Sequence, residues 1–229
     1  MFSFIIYFII IMIVPMYFQY KVKSTYNKYS RVRSTSGKTG REVAEEILAA
    51  NGIHDVQVLQ GEGFLSDHFD PVKKRVVLSP DNFNKPTVAG TAIAAHEVGH
   101  AIQHAHGYAF LKFRTALLPL ANLGSSLSYI IILAGIVLTA LSNTFGTTLL
   151  WVGIVFMSFA VLFTIITLPV EFDASKRAMR QIEKLNMVNQ QEYKHAKKVL
   201  SAAAMTYVAA TAVAVAELAR FILIARSGD

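Results

Sequence analysis

Four histidines and one glutamate fall within residues 94–108, in the segment AAHEVGHAIQHAHGY. His96 and His100 are four residues apart, so on an α-helix both imidazoles lie on one face. Two neutral imidazoles in this arrangement can bind one Zn²⁺, and Glu97 between them can reach a water molecule on that ion. Zinc lowers the pKa of such a water to about 7, and the glutamate can take and relay its proton. The H-E-x-x-H pattern therefore predicts a hydrolytic zinc site with Glu97 as general base.

A chance match on an exposed helix is the alternative interpretation of so short a motif. The flanking letters argue against it. TAIAA precedes the motif and VG lies inside it, so the helix has a small-residue face that can be buried. A buried face is where a site belongs, whereas a solvated patch needs no such face.

The third metal ligand is the open question of the motif. His106 has the third-histidine spacing of H-E-x-x-H-x-x-G-x-x-H, but Gln103 replaces the glycine that lets the chain turn back. If the helix continues to Gly107, His106 lies about 15 Å along the axis from His96, and His104 about 12 Å. We therefore expect both histidines at the surface or around the site, away from the metal.

Glu171 is the alternative third ligand, and the membrane pattern of the chain favours it. Residues 115–170 contain no charged residue and no histidine. This length holds two bilayer spans, placed near 120–141 and 147–169 and joined by the turn SNTFGTT. Two spans return the chain to the side it left, where Glu171 can meet the histidine helix. Pro169 marks a kink or a helix start. The competing interpretation is that Glu171 is only a first-turn glutamate favoured by the helix dipole.

Composition and charge also indicate an integral membrane protein. Hydrophobic residues make up 53% of the 229-residue chain and charged residues only 16%. The opening stretch MFSFIIYFIIIMIVPMYFQY lacks the basic start and the cleavage site of a secretory signal, which predicts a retained anchor. An Ala-rich stretch from Val199 either spans the membrane or packs against the other helices.

Basic residues follow the first and third spans, whereas the turn between the second and third spans has none. They are Lys21, Lys23, Lys28, Arg31, Arg33, Lys38 and Arg41, and then Lys176, Arg177, Arg180 and Lys184. The positive-inside rule places both clusters in the cytoplasm and the turn outside. The membrane thus accounts for the net charge of +7, and no nucleic-acid partner is expected. The absence of cysteine excludes disulfides and thiolate ligands.

Helix and strand signals between the first two spans predict a small α+β element. Residues 24–40 have the composition of a linker, and a helix then begins at the cap Thr39, with Glu42 three residues on, and stops at Gly52. DVQVLQGEG and KKRVVLSP predict strands, the second following a turn at Asp70-Pro71. KRVVLSP is equally compatible with an edge strand that pairs with a peptide and with a core strand. This element can bury only a small core unless it packs on the membrane helices.

The sequence predicts five regions. They are an N-terminal transmembrane anchor at 1–20, a cytoplasmic-face zinc-binding domain at 21–118, a transmembrane hairpin at 119–170, a helical segment with the third zinc ligand at 171–198, and a membrane-associated or transmembrane helix at 199–229.

The chain resembles the YugP-type membrane zinc metallopeptidases over nearly its whole length. The resemblance rests on the segment AAHEVGHAIQH, the two spans after it and the segment LPVEFDASKRA. SDHFDPVKKRVVLS is similar to the strand-forming segment of that family. HtpX and the CAAX-prenyl proteases are more distantly similar, and they share H-E-x-x-H and a later E-F-x-A-D glutamate. The resemblance implies His96, His100 and Glu171 as zinc ligands and Glu97 as catalytic base.

One position departs from the E-F-x-A-D pattern of the distant relatives. Ser175 stands where they have the aspartate, and on a helix Asp173 faces about 200° away from Glu171. Asp173 and Ser175 are therefore both candidates for orienting a ligand histidine. His68 and Tyr108 are candidates for stabilising the oxyanion of the reaction.

These observations predict a mainly α integral membrane protein, with a gluzincin-like H-E-x-x-H helix and a small α+β element between transmembrane helices. The expected activity is that of a zinc-dependent endopeptidase in the cell membrane, with its catalytic domain on the cytoplasmic face. Its expected partners are the lipid bilayer and a peptide or membrane-protein substrate, with other membrane proteins or a second copy left open. A metal-binding membrane scaffold or regulator without catalysis is the alternative, and the intact Glu97 argues against it.

Overall fold

A computed structural model of the protein describes residues 2–141 and 144–227. Within these ranges its elements are α1 (Phe2–Tyr29), α2 (Gly40–Ala50), β1 (Gln57–Gln60), β2 (His68–Asp70), β3 (Arg75–Leu78), α3 (Pro80–Asn84), α4 (Val88–Ala105), α5 (Ala109–Ala140), α6 (Phe145–Lys184) and α7 (Gln190–Ser227). The start of the turn predicted around Asn143 lies outside the described residues.

The chain divides into two compact units. The first comprises Met1–Tyr108 and Val170–Thr206, and the second comprises Ala109–Pro169 and Tyr207–Asp229. The first unit contains the sheet, α1 to α4 and parts of the two last helices. The second contains α5 and the remaining parts of α6 and α7.

Within residues 2–141 and 144–227, four helices are long and apolar enough to cross a membrane: α1, α5, α6 and α7. The mainly α membrane architecture predicted from the sequence is thereby confirmed, and the C-terminal helix is among the four. Both helices of the predicted hairpin extend beyond the predicted spans. Pro169 lies inside α6, so of the two alternatives predicted there, a kink or a helix start, the helix start is wrong. Glu171 consequently lies far from the first turn of its helix, and a dipole preference cannot explain it.

The segment after the first apolar stretch is ordered, whereas its composition predicted a linker over residues 24–40. α1 continues to Tyr29, and the residues after it form backbone hydrogen bonds with the segment that leads into α4. Ser34 N donates to the Pro86 carbonyl at 3.0 Å, and Val88 N donates to the Val32 carbonyl at 2.9 Å. Local composition does not reveal these contacts because their partners are distant in sequence.

The start and end of α2 agree with the prediction. Thr39 and Glu42 form a capping box, in which the Glu42 amide donates to Thr39 Oγ1 and the Thr39 amide donates to the Glu42 carboxylate. Gly52 follows the helix with a φ of +68°, a backbone conformation that glycine adopts without strain.

The sheet has three strands in the order β1-β3-β2. β3 pairs in parallel with β1 and antiparallel with β2, so KRVVLSP forms the central strand. The edge-strand alternative, with a peptide added to β3, is therefore wrong. Val76 and Leu78 of β3 are fully buried, which suits a strand with neighbours on both sides. The short β2 was not predicted.

The histidine helix α4 ends just before Gly107, as the sequence predicts. Thr87 caps its start by accepting from Gly90 N, and Gly107 follows its end with a φ of +64°. α4 packs against α2, α3 and the sheet. Buried side chains from α1, α2, β3, α4, α6 and α7 form one core in this unit. The small α+β element thus obtains its core by packing on the longer helices, as expected from its size.

α4 and α6 approach each other at Gly99, within the motif itself. A Cβ atom on Gly99 would lie 2.5 Å from the Ala174 carbonyl oxygen, which is closer than such atoms pack. The missing side chain therefore lets the two helix backbones touch. This contact brings residues 96–100 next to the segment that contains Glu171.

The second unit has a smaller core. Its buried side chains are Ile132, Leu150, Ile154, Met157, Val161, Phe221 and Ala225. Many of its large apolar side chains are exposed, including Ile130, Leu133 and Leu141. An exposed apolar surface on helices of this length is what a bilayer would cover.

Candidate metal centre

Three donor side chains meet where α4 contacts α6. His96 Nε2 lies 3.3 Å from Glu171 Oε2, and His100 Nε2 lies 3.6 Å from the same oxygen. The carboxylate is only 3% exposed and His100 is 9% exposed. Within the described parts of the chain, these residues form the group of histidine and acidic side chains that could hold a metal ion.

The three donors fit a zinc ion. In a tetrahedral site with zinc–ligand distances of 2.0–2.1 Å, neighbouring donor atoms are about 3.4 Å apart. The two separations above agree with that value. Glu171 Oε2 is buried and has no hydrogen-bond partner among the described residues, a costly state unless a cation satisfies it. Two imidazoles and one carboxylate also leave a fourth position open, as catalytic zinc sites require.

The electrostatics around His100 favour a positive charge between the donors. Burial by itself lowers the pKa of His100, but the adjacent Glu171 carboxylate outweighs it, so the pKa is raised overall. The same carboxylate would attract a metal cation placed among the three side chains.

Glu97 lies on α4 between the two histidines and is 8% exposed. Burial raises the pKa of its carboxyl group, and the neighbouring imidazoles of His96 and His100 act in the opposite direction. A raised pKa makes a carboxylate a stronger proton acceptor at neutral pH. The side chain thus has the properties expected of a general base.

Gln103 orients the imidazole of His100. Its Oε1 lies 3.0 Å from His100 Nδ1, and because an amide oxygen only accepts, Nδ1 carries the proton. Nε2, the nitrogen on the side of Glu171, is then left with a lone pair that can bind a metal ion. Gln103 Nε2 in turn donates to the Val170 carbonyl at 2.8 Å and to Asp173 Oδ2 at 2.9 Å. This fully buried amide links the histidine helix to α6 directly beside Glu171.

Ser175 contacts the other histidine. Its Oγ lies 3.2 Å from His96 Nδ1, opposite the nitrogen that faces Glu171. The hydroxyl therefore occupies the place of an orienting partner for His96. Asp173 does not contact a ligand histidine directly. It accepts a hydrogen bond from Gln103 and pairs with Arg177. Both candidates for an orienting role thus lie at the site. Ser175 contacts His96 directly, and Asp173 is linked to His100 through Gln103.

The remaining sequence candidates do not belong to the group of three donors. His106 follows the last turn of α4 and lies 3.4 Å from Arg177, and His104 packs its ring near Phe69. The exposed His68 has Nδ1 2.8 Å from the Ser66 carbonyl oxygen. Tyr108 lies under the Arg177 guanidinium, 5.7 Å from ring centre to cation.

Gln103 is the site residue that the sequence reasoning missed. The sequence marked it only as a replacement for a glycine. A further signal was present, because Gln103 is three residues after His100 and so shares its helix face. What it binds on α6 could not be read from spacing.

A family described as "Putative neutral zinc metallopeptidase" matches residues 4–226 of the chain. The chain belongs to this family of membrane-associated zinc metallopeptidases. It is similar to the "Putative membrane protease YugP" of Bacillus subtilis (strain 168), with 42% identity over 210 residues. The match covers 92% of this chain and 91% of that protein. No solved structure matches the chain.

We predict that Gln103→Leu weakens zinc binding by about 10- to 100-fold, the usual cost of losing a partner of a metal-binding histidine. The substitution keeps the volume but leaves His100 Nδ1 without its acceptor. Competition with a chromophoric chelator measures the affinity. Gln191→Leu, at an exposed position of α7, is the matched control. Equal affinity in both variants would show that Gln103 does not orient the site.

Proposed function

We propose that the protein is a zinc-dependent endopeptidase of the cell membrane, with His96, His100 and Glu171 as zinc ligands and Glu97 as general base. The observation that carries this proposal is the buried carboxylate oxygen of Glu171. It has no hydrogen-bond partner among the described residues, and it lies 3.3 and 3.6 Å from two imidazole nitrogens. A cation is the group that satisfies all three donors together.

Each residue of the site has a separate task in peptide hydrolysis. Bound zinc supplies Lewis acidity, which polarises the scissile carbonyl and makes water a better nucleophile. Glu97 takes the proton from the attacking water and passes it to the leaving amine, which becomes a neutral leaving group. One residue along a helix turns the side-chain direction by about 100°, so Glu97 flanks the two histidines and leaves their Nε2 atoms free.

The residues behind the histidines keep them ready for this task. Gln103 holds His100 and Ser175 holds His96, each through Nδ1. Both imidazoles then present Nε2 to Glu171 without rotating, which lowers the entropy lost when the metal binds. His68 and Tyr108 remain our candidates for donating hydrogen bonds to the developing oxyanion.

The substrate we propose is a peptide segment or a membrane protein, cleaved on the cytoplasmic side. The four helices of the described chain that can cross a membrane support a location in the bilayer. The basic residues after α1 and after Glu171 support the cytoplasmic orientation of the site.

The ligand set leads to a first prediction about metal content. Glu171→Ala should lose most of the bound zinc, because two imidazoles alone hold the ion weakly. His106→Ala should keep it, since His106 contacts Arg177 outside the donor cluster. Elemental analysis of the purified proteins measures the zinc content. Full zinc retention in the Glu171 variant would refute the assignment.

The role of Glu97 leads to a second prediction. Glu97→Gln keeps the size of the side chain but removes its basicity, so zinc should stay while cleavage falls by about 10²- to 10⁴-fold. Cleavage of a fluorogenic peptide library and zinc content are measured together, with Glu62→Gln at an exposed position as control. Loss of zinc in the Glu97 variant would make this residue structural. If the wild-type protein binds zinc but cleaves no peptide, the result would favour the alternative of a non-catalytic metal-binding scaffold.

The orientation leads to a third prediction, which the absence of native cysteine makes simple to test. Val72 is 88% exposed in the first unit, and Thr144 is exposed in the turn directly before α6. In intact cells a membrane-impermeant thiol reagent should label Thr144→Cys and leave Val72→Cys unlabelled. After permeabilisation both should react. Labelling of Val72→Cys in intact cells would contradict a cytoplasmic site.

A further inference from the structure

A basic cavity of about 700 Å³ lies between α1 and α7, within the first unit. Its charged lining consists of Lys21, Lys28, Lys194, Lys197 and Lys198. On α1 the lining positions 21, 24, 25 and 28 share one helix face. On α7 the positions 194, 197, 198 and 201 do the same, so two stripes of lysine and hydroxyl side chains line one space.

These five lysines have no carboxylate partner among the described residues. No aspartate or glutamate of the described chain lines the cavity. Lys21 and Lys28 lie over the rings of Tyr17 and Tyr29, at 5.9 and 5.6 Å. The five ammonium groups are exposed, and together they give this space a positive potential that attracts anions. The charge of the cavity therefore calls for an anionic ligand.

The hydroxyl groups and the apolar wall of the cavity indicate which class of anionic ligand it could bind. Ser24, Thr25 and Ser201 line the cavity and can donate hydrogen bonds to anionic oxygen atoms. Ala202 and Met205 provide an apolar part of the wall. A phosphate group matches the first set of side chains, and a hydrocarbon chain matches the second.

The position of the lysines along their helices indicates where the cavity lies in the membrane. Lys21 is the first charged residue after the apolar start of α1. Lys198 is the last charged residue of α7 before the uncharged residues 199–216. Both helices therefore change from charged to apolar beside the cavity, as helices do at the level of lipid headgroups.

We propose that this cavity binds the phosphate headgroup of an anionic phospholipid, with the acyl chains directed along the apolar residues of α1 and α7. Clusters of four or more lysines beside a membrane helix attract anionic lipids. A soluble phosphate compound shares the headgroup chemistry but has no acyl chain for the apolar wall. The proposal does not depend on the zinc site or on proteolysis.

The test measures binding of fluorescent phosphatidylglycerol to the full-length protein in detergent micelles. The variant is Lys194→Gln/Lys198→Gln, because both lysines line this cavity. Its affinity should fall roughly 25-fold, at about fivefold for each lysine. Lys73→Gln/Lys184→Gln removes the same charge at exposed positions outside the cavity and should bind like wild type.

Further arms distinguish the source of the phosphate and guard against misfolding. Lys194→Arg/Lys198→Arg keeps the charge and should retain affinity, which separates lost binding from lost fold. Unlabelled phosphatidylglycerol should displace the probe, whereas phosphatidylcholine and soluble glycerol phosphate should not. Equal loss in both glutamine variants, unchanged affinity in the cavity variant, or displacement by glycerol phosphate at equal concentration would each overturn the proposal.

Discussion

The contact between α4 and α6 is the constraint on which the candidate site depends. Gly99 has no side chain, so the backbone of α4 reaches the Ala174 carbonyl of α6. Gln103 then crosses the same contact with hydrogen bonds to Val170 and Asp173. One steric condition and one buried amide thus bring two histidines to a glutamate that is more than seventy residues away in sequence. A larger residue at position 99 would push α4 and α6 apart and so separate the three donors, although none of the donors is itself substituted.

Burial of a carboxylate is costly, and the way this chain tolerates it indicates what the site is for. Glu171 is 3% exposed and faces two imidazoles instead of an arginine or lysine. An unpaired buried charge is strongly unfavourable unless a cation compensates it. The buried Glu192, in contrast, accepts two hydrogen bonds from Thr35, at 2.7 and 2.6 Å. The contrast between these two glutamates supports a metal ion at Glu171 and a purely structural role for Glu192.

The first unit is held together by polar contacts between elements that are remote in sequence. Asp67 accepts from the amide and hydroxyl of Ser79 and from Asn82, and Asn82 accepts from Tyr26 of α1. The chain after α1 is joined to the start of α4 by backbone hydrogen bonds. The basic cavity belongs to the same unit, on the α1 and α7 side. A lipid bound there would stabilise the pair of helices that line the cavity.

The sequence by itself determined the features that depend on local spacing. These include the shared face of His96 and His100, the capping box at Thr39, the stop at Gly107 and the long apolar helices. Only the tertiary structure decided which distant side chains meet. It made KRVVLSP the central strand, brought Ser175 to His96 across 79 residues and joined Gln103 to Asp173 across 70. The sequence favoured Glu171 as the third ligand because two spans return the chain to the side of the histidine helix. It could not reveal the burial of Glu171 or its distance from the imidazoles. Helical periodicity acts over a few residues, whereas these contacts depend on how closely two helix backbones pack, and that is set by the whole fold.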